Sequence, residues 1–414
     1  MKEHRVVITG LGAVTPIGTS VQQFWDGLTK GKNGIGEVTH FDVTDFRSKL
    51  AAEVKDFRPE DWFDKKSAKR MDRFTQFGIA ASTMAIDDSG LDSFSFDKNR
   101  AGVIIGSGIG GSQTFEDSHT TLLKKGPNSL NPFAVSKLLI NMAASMVSIK
   151  FGLKGPISAL SVACSTGSNA IGDAFRIIQR GDADIMLAGS SEACITPLPY
   201  GCFAATRSMT TNDNPQTASR PFDKNRDGFV MGEGAGIVVL ESLTHAEKRG
   251  AKIYAELAGY GNTADAFHFT APDPESDGMI RVMQVALKDA DIEAEQIQYI
   301  NAHGTSTVLN DKSESAAITK VFGKYAPSLK VSSIKSMIGH LMAAAGSVEF
   351  VATVMSVFTG IIPPTINYKE SDDDCALYYV TNGAEKYNVN AAMSNSFGFG
   401  GGNACLIIKK FGEI

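Results

Sequence analysis

The chain has 414 residues, a formal net charge of −5, 43% hydrophobic and 21% charged residues, enough for two packed cores or one large duplicated one. Mild acidity with both signs interspersed excludes a nucleic-acid binder, which needs a concentrated basic face, and no window approaches the roughly eighteen apolar residues of a membrane span. Cysteines at 164, 194, 202, 375 and 405 form no CxxC pair and are odd in number, so disulfide and zinc-ribbon frameworks are excluded and a reducing compartment is expected. The start, MKEHRVVITG, runs into a strand-like segment without a signal-peptide pattern, and a cytoplasmic location is the expectation.

In chain order, apolar runs at 5–9, 102–105, 185–187, 237–240, 297–301 and 404–408 predict buried strands, with helices of small residues between them. This is α/β patterning. The second run leads into GSGIGG (106–111), which satisfies G-x-G-x-x-G after a strand. A dinucleotide site also needs an acidic residue about twenty positions on, closing a second strand, and there the chain reads KKGPNSLNPF instead.

The β-like run 157–163 ends at Cys164, before a helix of small residues. A free cysteine taken alone is more often a buried small hydrophobe. At a helix N-terminus, however, unpaired N–H groups and the dipole stabilise the thiolate, which predicts a pKa drawn toward neutrality and a nucleophile. The other four cysteines lack that context and read as packing residues. Farther on, DKNRDGFVMGEG (223–234) imitates the start of a calcium loop, but its twelfth position is Gly234, with Glu233 one place early. A turn stapled by carboxylates is the better reading.

ESLTHAEKRGAKIYAELAGYG (241–261) predicts a helix ending at Gly250 and then a strand, and divides the chain into halves 1–250 and 251–414. The segments 158–175 and 329–350 share one grammar: a β-like run, a short turn, then a helix rich in Ala, Gly and Ser. If the halves are a duplication, Cys164 and His340 stand near corresponding helix starts, and pseudo-twofold packing brings those starts together as an oxyanion site. In YINAHGTSTVLNDKSES (299–315), His303 ends a strand and precedes the hydroxyls of Thr305 and Thr307. One cysteine, two histidines and Lys335 supply a nucleophile, two neutral hydrogen-bond donors and a positive field, a set suited to acyl transfer followed by enolate stabilisation.

VACSTGSNAIGDAF (162–175), NAHGTSTVLNDKSE (301–314), SSIKSMIGH (332–340) and SNSFGFGGGNA (394–404), in this order and across the whole chain, resemble the β-ketoacyl-[acyl-carrier-protein] synthases of the Cys-His-His type, most of all the bacterial type II elongating enzyme. The resemblance implies a thiolase-like α/β fold of two similar halves layered αβαβα, a homodimer, and decarboxylative condensation of malonyl-carrier protein with an acyl-cysteine. It implies Cys164 as acyl acceptor, His303 and His340 as holders of the malonyl thioester oxygen, and Lys335 paired with Glu314 to tune the field. It further implies pantetheine contacts from Thr305 and Thr307, an oxyanion hole from the N–H groups of Cys164 and Phe399, Phe399 as gate, and Ile109 and Phe203 lining the acyl pocket. Asn301, Glu349, Ser394 and Asn395 match a structural cation site of the family. No cofactor is implied, since the phosphopantetheine arm belongs to the carrier protein. As docking residues for that acidic partner the resemblance adds Arg207, with Lys124 or Lys125, to Lys66, Lys69 and Arg70, which cluster in DKKSAKRMDR (64–73).

The chain departs from the family pattern at Ile338, where KSMTGH is usual, at Gly402, where GGTN or GGHN is usual, and at Val308, where a proline is common. A thiolase would need a second catalytic cysteine ahead of the glycine loop, whereas Cys405 follows it. The initiating synthase type would have Asn where His340 stands. A non-catalytic chain-length partner would lack the nucleophile, and a polyketide ketosynthase subunit is the remaining alternative.

Overall fold

The computed structural model describes residues 4–412. Ten strands form its main sheet: β1 (Val6–Val14), β2 (Ala101–Gly106), β3 (Ile157–Ser158), β4 (Ile185–Glu192), β5 (Gly234–Ser242), β6 (Ala255–Ala264), β7 (Tyr299–Asn301), β8 (Lys330–Ser332), β9 (Ala391–Phe397) and β10 (Gly402–Lys409). The helices that matter for the site are α1 (Lys65–Lys69), α2 (Arg73–Ser89), α3 (Met142–Phe151), α4 (Thr166–Gln179), α5 (Asp277–Asp289), α6 (Val308–Phe322) and α7 (Ala345–Thr359). The strand order is β8-β7-β9-β10-β6-β1-β5-β4-β2-β3.

That order is one five-strand motif written twice. In the first half β1 pairs β5 and β5 pairs β4 antiparallel, while β4–β2 and β2–β3 are parallel. In the second half β6–β10 and β10–β9 are antiparallel, and β9–β7 and β7–β8 parallel. The two half-sheets are joined through β1 and β6, where Val6 faces Leu257 and Ile8 faces Ala255. Runs such as Ile237–Leu240 are apolar at consecutive positions because both sheet faces are covered, the expected pattern for strands between helical layers.

Helices α4 and α7 lie between the two half-sheets, with a core that includes Phe175, Ile171, Phe350 and Val354. Outside the first half-sheet sit α2 and α3, with Phe74, Phe77 and Val147 buried; outside the second sit α5 and α6, with Val282, Met283 and Ile318 buried. This is the five-layer arrangement. The segment Met342–Thr359 is long and apolar enough to cross a bilayer, but 89% of it is buried between the sheets, so it is a core helix.

The central helices meet at their N-termini, and glycine allows it. A Cβ on Gly167 of α4 would stand 2.5 Å from the Ser347 nitrogen of α7, and one on Gly346 would stand 2.9 Å from the Ser168 nitrogen of α4. Neither contact leaves room for a side chain. The serines around this crossing bond across it, Ser190 to Ser347 at 2.7 Å and Ser168 to Ser396 at 2.9 Å.

Two sequence expectations are corrected here. The run 157–163 is strand only over Ile157–Ser158, because the chain must bend before the helix; and the strand expected from 297 begins at Tyr299, since Ile297 closes the 3₁₀ turn Ala294–Gln296.

Candidate active site

Cys164 lies in the turn that feeds α4, two residues before the first helical position. The turn is tight: Ala163 is left-handed, with φ 46°, a conformation that costs free energy for a residue with a Cβ. Thr166 clamps it, its hydroxyl accepting from the Val162 N–H at 2.8 Å and donating to the Ala163 carbonyl at 2.7 Å. The result is a thiol that faces a cavity and is only 6% exposed.

The C-terminal half brings its own helix start to the same point. His340 Nε2 is 3.0 Å from Cys164 Sγ, and the His303 and His340 rings stand edge to face with centroids 5.4 Å apart. The hydrogen bonds assign the tautomers. His340 Nδ1 accepts from the Met342 N–H at 3.3 Å, and His303 Nδ1 faces the Lys335 ammonium at 3.3 Å. Each ring therefore carries its proton on Nε2. Phe229 packs against His340 (5.4 Å between centroids) and Phe397 against His303 (5.8 Å), which fixes both planes.

The buried charges are arranged differently from the sequence expectation. Lys335 pairs with Glu349, not with Glu314. Glu314 instead accepts the backbone N–H of His303 at 2.9 Å and of Gly304 at 2.8 Å, so it shapes the histidine loop and touches no substrate space. Sequence separation hides this choice, because α6 and α7 both carry a glutamate to the same lysine.

Electrostatics follow from burial. Burial, then the Lys335 charge, holds His340 well below the ordinary histidine value, and burial, Lys335 and His340 do the same for His303. Both are neutral donors near pH 7. Burial also pushes the Cys164 thiol up to about 11, against the opposing pull of the Phe399 N–H, the Lys335 charge and its own N–H. The expected drift toward neutrality is corrected: loss of water around the sulfur outweighs the helix end. Glu314 and Glu349 are likewise pushed up to about 7 by burial.

The cavity over Cys164 has a volume of about 340 Å³ and is bordered by Phe203, Arg207, Thr305, Thr307 and Phe399 beside the two histidines. The Phe203 and Phe399 rings lie tilted with centroids 6.3 Å apart, and the Thr305 and Thr307 hydroxyls share a hydrogen bond of 2.9 Å. Ile109 is not among the residues that border this cavity and is 40% exposed. Its loop is held by Glu192, which the sequence reading missed. That carboxylate accepts the Gly108 N–H at 2.7 Å and the Ser107 hydroxyl at 3.0 Å, so the phosphate-like nest of GSGIGG is filled from within. Asp223 bears out the stapled-turn reading of 223–234, accepting the N–H groups of Asn225, Lys369 and Glu370. Of the basic residues, Lys66, Lys69 and Arg70 are exposed on or just after α1, with the Arg70 guanidinium 4.8 Å over the Phe133 ring; Lys124 and Lys125 are exposed at the end of the helix Ser112–Lys125, and only Arg207 reaches the cavity mouth.

Asn301 Oδ1, Glu349 Oε2, Ser394 Oγ and Asn395 Oδ1 are buried without a hydrogen-bond partner among the described residues. Asn301 pairs in register with Ser394 and donates to the Glu349 carbonyl at 3.0 Å, so these residues are neighbours. Four orphaned oxygens including a carboxylate suit a hard cation.

Among the departures, Val308 opens α6 and Ile338 is fully buried. At Gly402 a Cβ would stand 2.7 Å from Val162 Cγ1, so the missing side chain at 402 accommodates Val162, two residues ahead of the nucleophile.

A cysteine beside two neutral imidazole donors, at the junction of two like half-folds, defines a thiolase-like enzyme that carries acyl groups on sulfur and stabilises an enolate. The N-terminal domain model of the beta-ketoacyl synthases matches residues 3–246 and the C-terminal domain model residues 254–369. The chain is 50% identical over 412 residues to a 3-oxoacyl-[acyl-carrier-protein] synthase 2 of Synechocystis, and 51% over 410 residues to that of Staphylococcus aureus, with 99% of each chain covered in both cases. A solved type II polyketide ketosynthase in complex with its acyl-carrier protein superposes with TM-score 0.91 at 36% identity, covering 98% of this chain and 99% of that one. The chain belongs to the beta-ketoacyl synthase family, acyltransferases of the condensing class.

Proposed function

We propose that this enzyme is an elongating 3-oxoacyl-[acyl-carrier-protein] synthase of fatty acid synthesis, joining an acyl group on Cys164 to malonyl-carrier protein. The observation that carries it is the meeting of Cys164 Sγ and one nitrogen each of His303 and His340, all within 4.8 Å of one another. Identity of about half over full length to elongating synthases, against 36% to the polyketide enzyme, favours fatty acid over polyketide synthesis.

The geometry runs the reaction in two parts. Cys164 sulfur attacks the acyl thioester; the N–H groups of Cys164 and Phe399, which both favour negative charge at this point, hold the tetrahedral oxyanion. The carrier arm then departs as a thiol, taking up the proton that Cys164 gives up. Malonyl-carrier protein next enters the same cavity, with Thr305 and Thr307 bonding its pantetheine amides. As CO₂ leaves, the two Nε2–H donors hold the enolate oxygen, and the enolate carbon attacks the acyl-cysteine. Collapse of the second tetrahedral intermediate frees Cys164, which regains a proton. Neutral imidazoles suit this step, because they donate to the oxyanion without needing to titrate.

The reaction needs no cofactor, and a structural cation held by Asn301, Glu349, Ser394 and Asn395 would only brace the Lys335–Glu349 pair. The enzyme works in the cytoplasm as a homodimer. In the second half the outer strand β8 is covered by Val331–Tyr379 bridging, whereas its counterpart β3 ends the sheet with Ile157 half exposed and with Phe115, Leu123, Val135 and Ile149 exposed in the same half. A second copy covers that edge.

Incubation with acyl-carrier protein is expected to add one acyl mass to the peptide containing Cys164; label on Cys194, Cys202, Cys375 or Cys405 overturns the assignment. His303→Ala is expected to lose malonyl decarboxylation by about a hundredfold or more, the scale of one lost oxyanion donor, while still acylating itself. Unchanged decarboxylation in that variant removes the role.

A further inference from the structure

The segment RPFDKNRDG (220–228) forms a structural turn, yet it also grips the hydroxyl loop at Ser306 and Thr307 and is tied to Thr305 through Asp311. Thr305 gives its N–H to the Asp311 carboxylate, which also takes the Phe222 N–H at 2.8 Å. Ser306, left-handed at φ 70°, accepts the Arg220 N–H on its hydroxyl at 3.0 Å and the Gly228 N–H on its carbonyl at 3.0 Å. Arg226 closes the grip from below. Its guanidinium, 2% exposed, donates to the Thr307 carbonyl at 3.4 Å and the Val308 carbonyl at 3.1 Å. Its remaining donors go to the Asp223 carbonyl at 3.0 Å and to Asp372, with Asp311 at 3.7 Å.

A buried arginine flanked by two carboxylates is costly unless fully bonded, and here its planar fork makes four hydrogen bonds to backbone and acid groups, with Asp311 as a fifth, ionic partner, in one geometry. Three of its partners are outside the site. The two that lead into it, the Thr307 and Val308 carbonyls, belong to the N-cap and first residue of α6, so holding them fixes the backbone that carries the Thr307 side chain, whose hydroxyl meets Thr305 at the cavity wall. We propose that Arg226 is a positioning residue for the pantetheine-binding hydroxyl pair, with 220–228 as the mould in which that loop is cast. The inference rests on the pantetheine reading of Thr305 and Thr307 above. Arg226 touches no substrate; it decides where the hydroxyls stand.

Such a role acts on binding of the arm, in both half-reactions, and spares the chemistry. Arg226→Lys keeps the charge between Asp311 and Asp372 but loses the fork. It is expected to raise KM about tenfold for both an acyl- and a malonyl-pantetheine thioester, the scale of one hydrogen bond, with kcat within about twofold. Alkylation of Cys164 by iodoacetamide, which has no pantetheine arm, is expected to proceed at the wild-type rate. Thr307→Ala is expected to show the same rise, and Arg226→Lys placed in the Thr307→Ala background to add less than about twofold. Should Arg226→Lys fail to fold, Asp372→Asn, which leaves Arg226 its backbone contacts, is expected to raise both KM values about threefold. An unchanged KM in Thr307→Ala removes the pantetheine reading itself. A raised KM there, with full additivity or no KM effect from Arg226→Lys or Asp372→Asn, overturns the inference about Arg226 alone.

Discussion

Replacing Lys335 tests the electrostatic core of the site. Its ammonium is 1% exposed, pairs with Glu349 and stands 3.3 Å from His303 Nδ1. Lys335→Met therefore removes two things at once, the partner of a buried carboxylate and the group that pins the His303 proton on Nε2. Breaking a buried pair from one side costs about 3–5 kcal/mol, which for a chain of 414 residues corresponds to a fall in Tm of about 3–6 °C. Freeing the tautomer costs the His303 donor, worth about 10²–10³ in the decarboxylation rate. The two effects separate in the double variant Lys335→Met/Glu349→Gln, which leaves no unpaired charge. Calorimetry is expected to return most of the lost Tm, while release of CO₂ from malonyl-carrier protein stays at least about a hundredfold down. The pH profile supplies a second sign. The Lys335 charge helps to hold His303 below its ordinary value, so the acid limb of decarboxylation moves toward neutral pH when that charge is absent. Full recovery of decarboxylation in the double variant would refute this account and reduce Lys335 to a counter-ion for Glu349.

Three further outcomes follow from the same geometry. With the thiol pushed up to about 11 by burial, Cys164 alkylation by iodoacetamide should rise about tenfold per pH unit from 7 to 10; a plateau near pH 8 contradicts the burial argument. The same raised value favours the protonated thiol in the folded state, so its contribution to stability is full below pH 9 and is lost as pH rises from there toward 11. Gly402→Thr puts a side chain against Val162 Cγ1 and is expected to cost about 1–3 kcal/mol and to slow self-acylation, with Val162→Ala restoring both; slow acylation that Val162→Ala leaves untouched would separate 402 from the nucleophile turn. Reversing Lys69 and Arg70 to Glu should raise KM for acyl-carrier protein about fivefold or more and weaken its salt dependence, without affecting a pantetheine thioester; equal loss with both substrates makes the patch structural.

Both the chemistry and the half-fold were readable in one dimension. Cys164, His303, Lys335 and His340 each stand at the junction of an apolar run with a glycine- or serine-rich turn, and such junctions are local: strand alternation, turn residues and helix starts depend on neighbours within a few positions. The likeness of 158–175 to 329–350 foretold that two helix starts would meet, and His340 Nε2 lies 3.0 Å from Cys164 Sγ. Tertiary packing settled what passes between segments. Lys335 chooses Glu349 over Glu314 because α7 lies in the central layer beside it while Glu314 is taken up by two backbone N–H groups, a competition that no spacing encodes. Cys164 is pushed up rather than down because the second half-fold closes over it and removes water, whereas the helix end that draws it down is visible in its own sequence. Glu192 and Arg226 went unnoticed for the same reason. Each is an ordinary charged residue in its local sequence, and each acts on a loop at least eighty residues away, to which only the fold connects it.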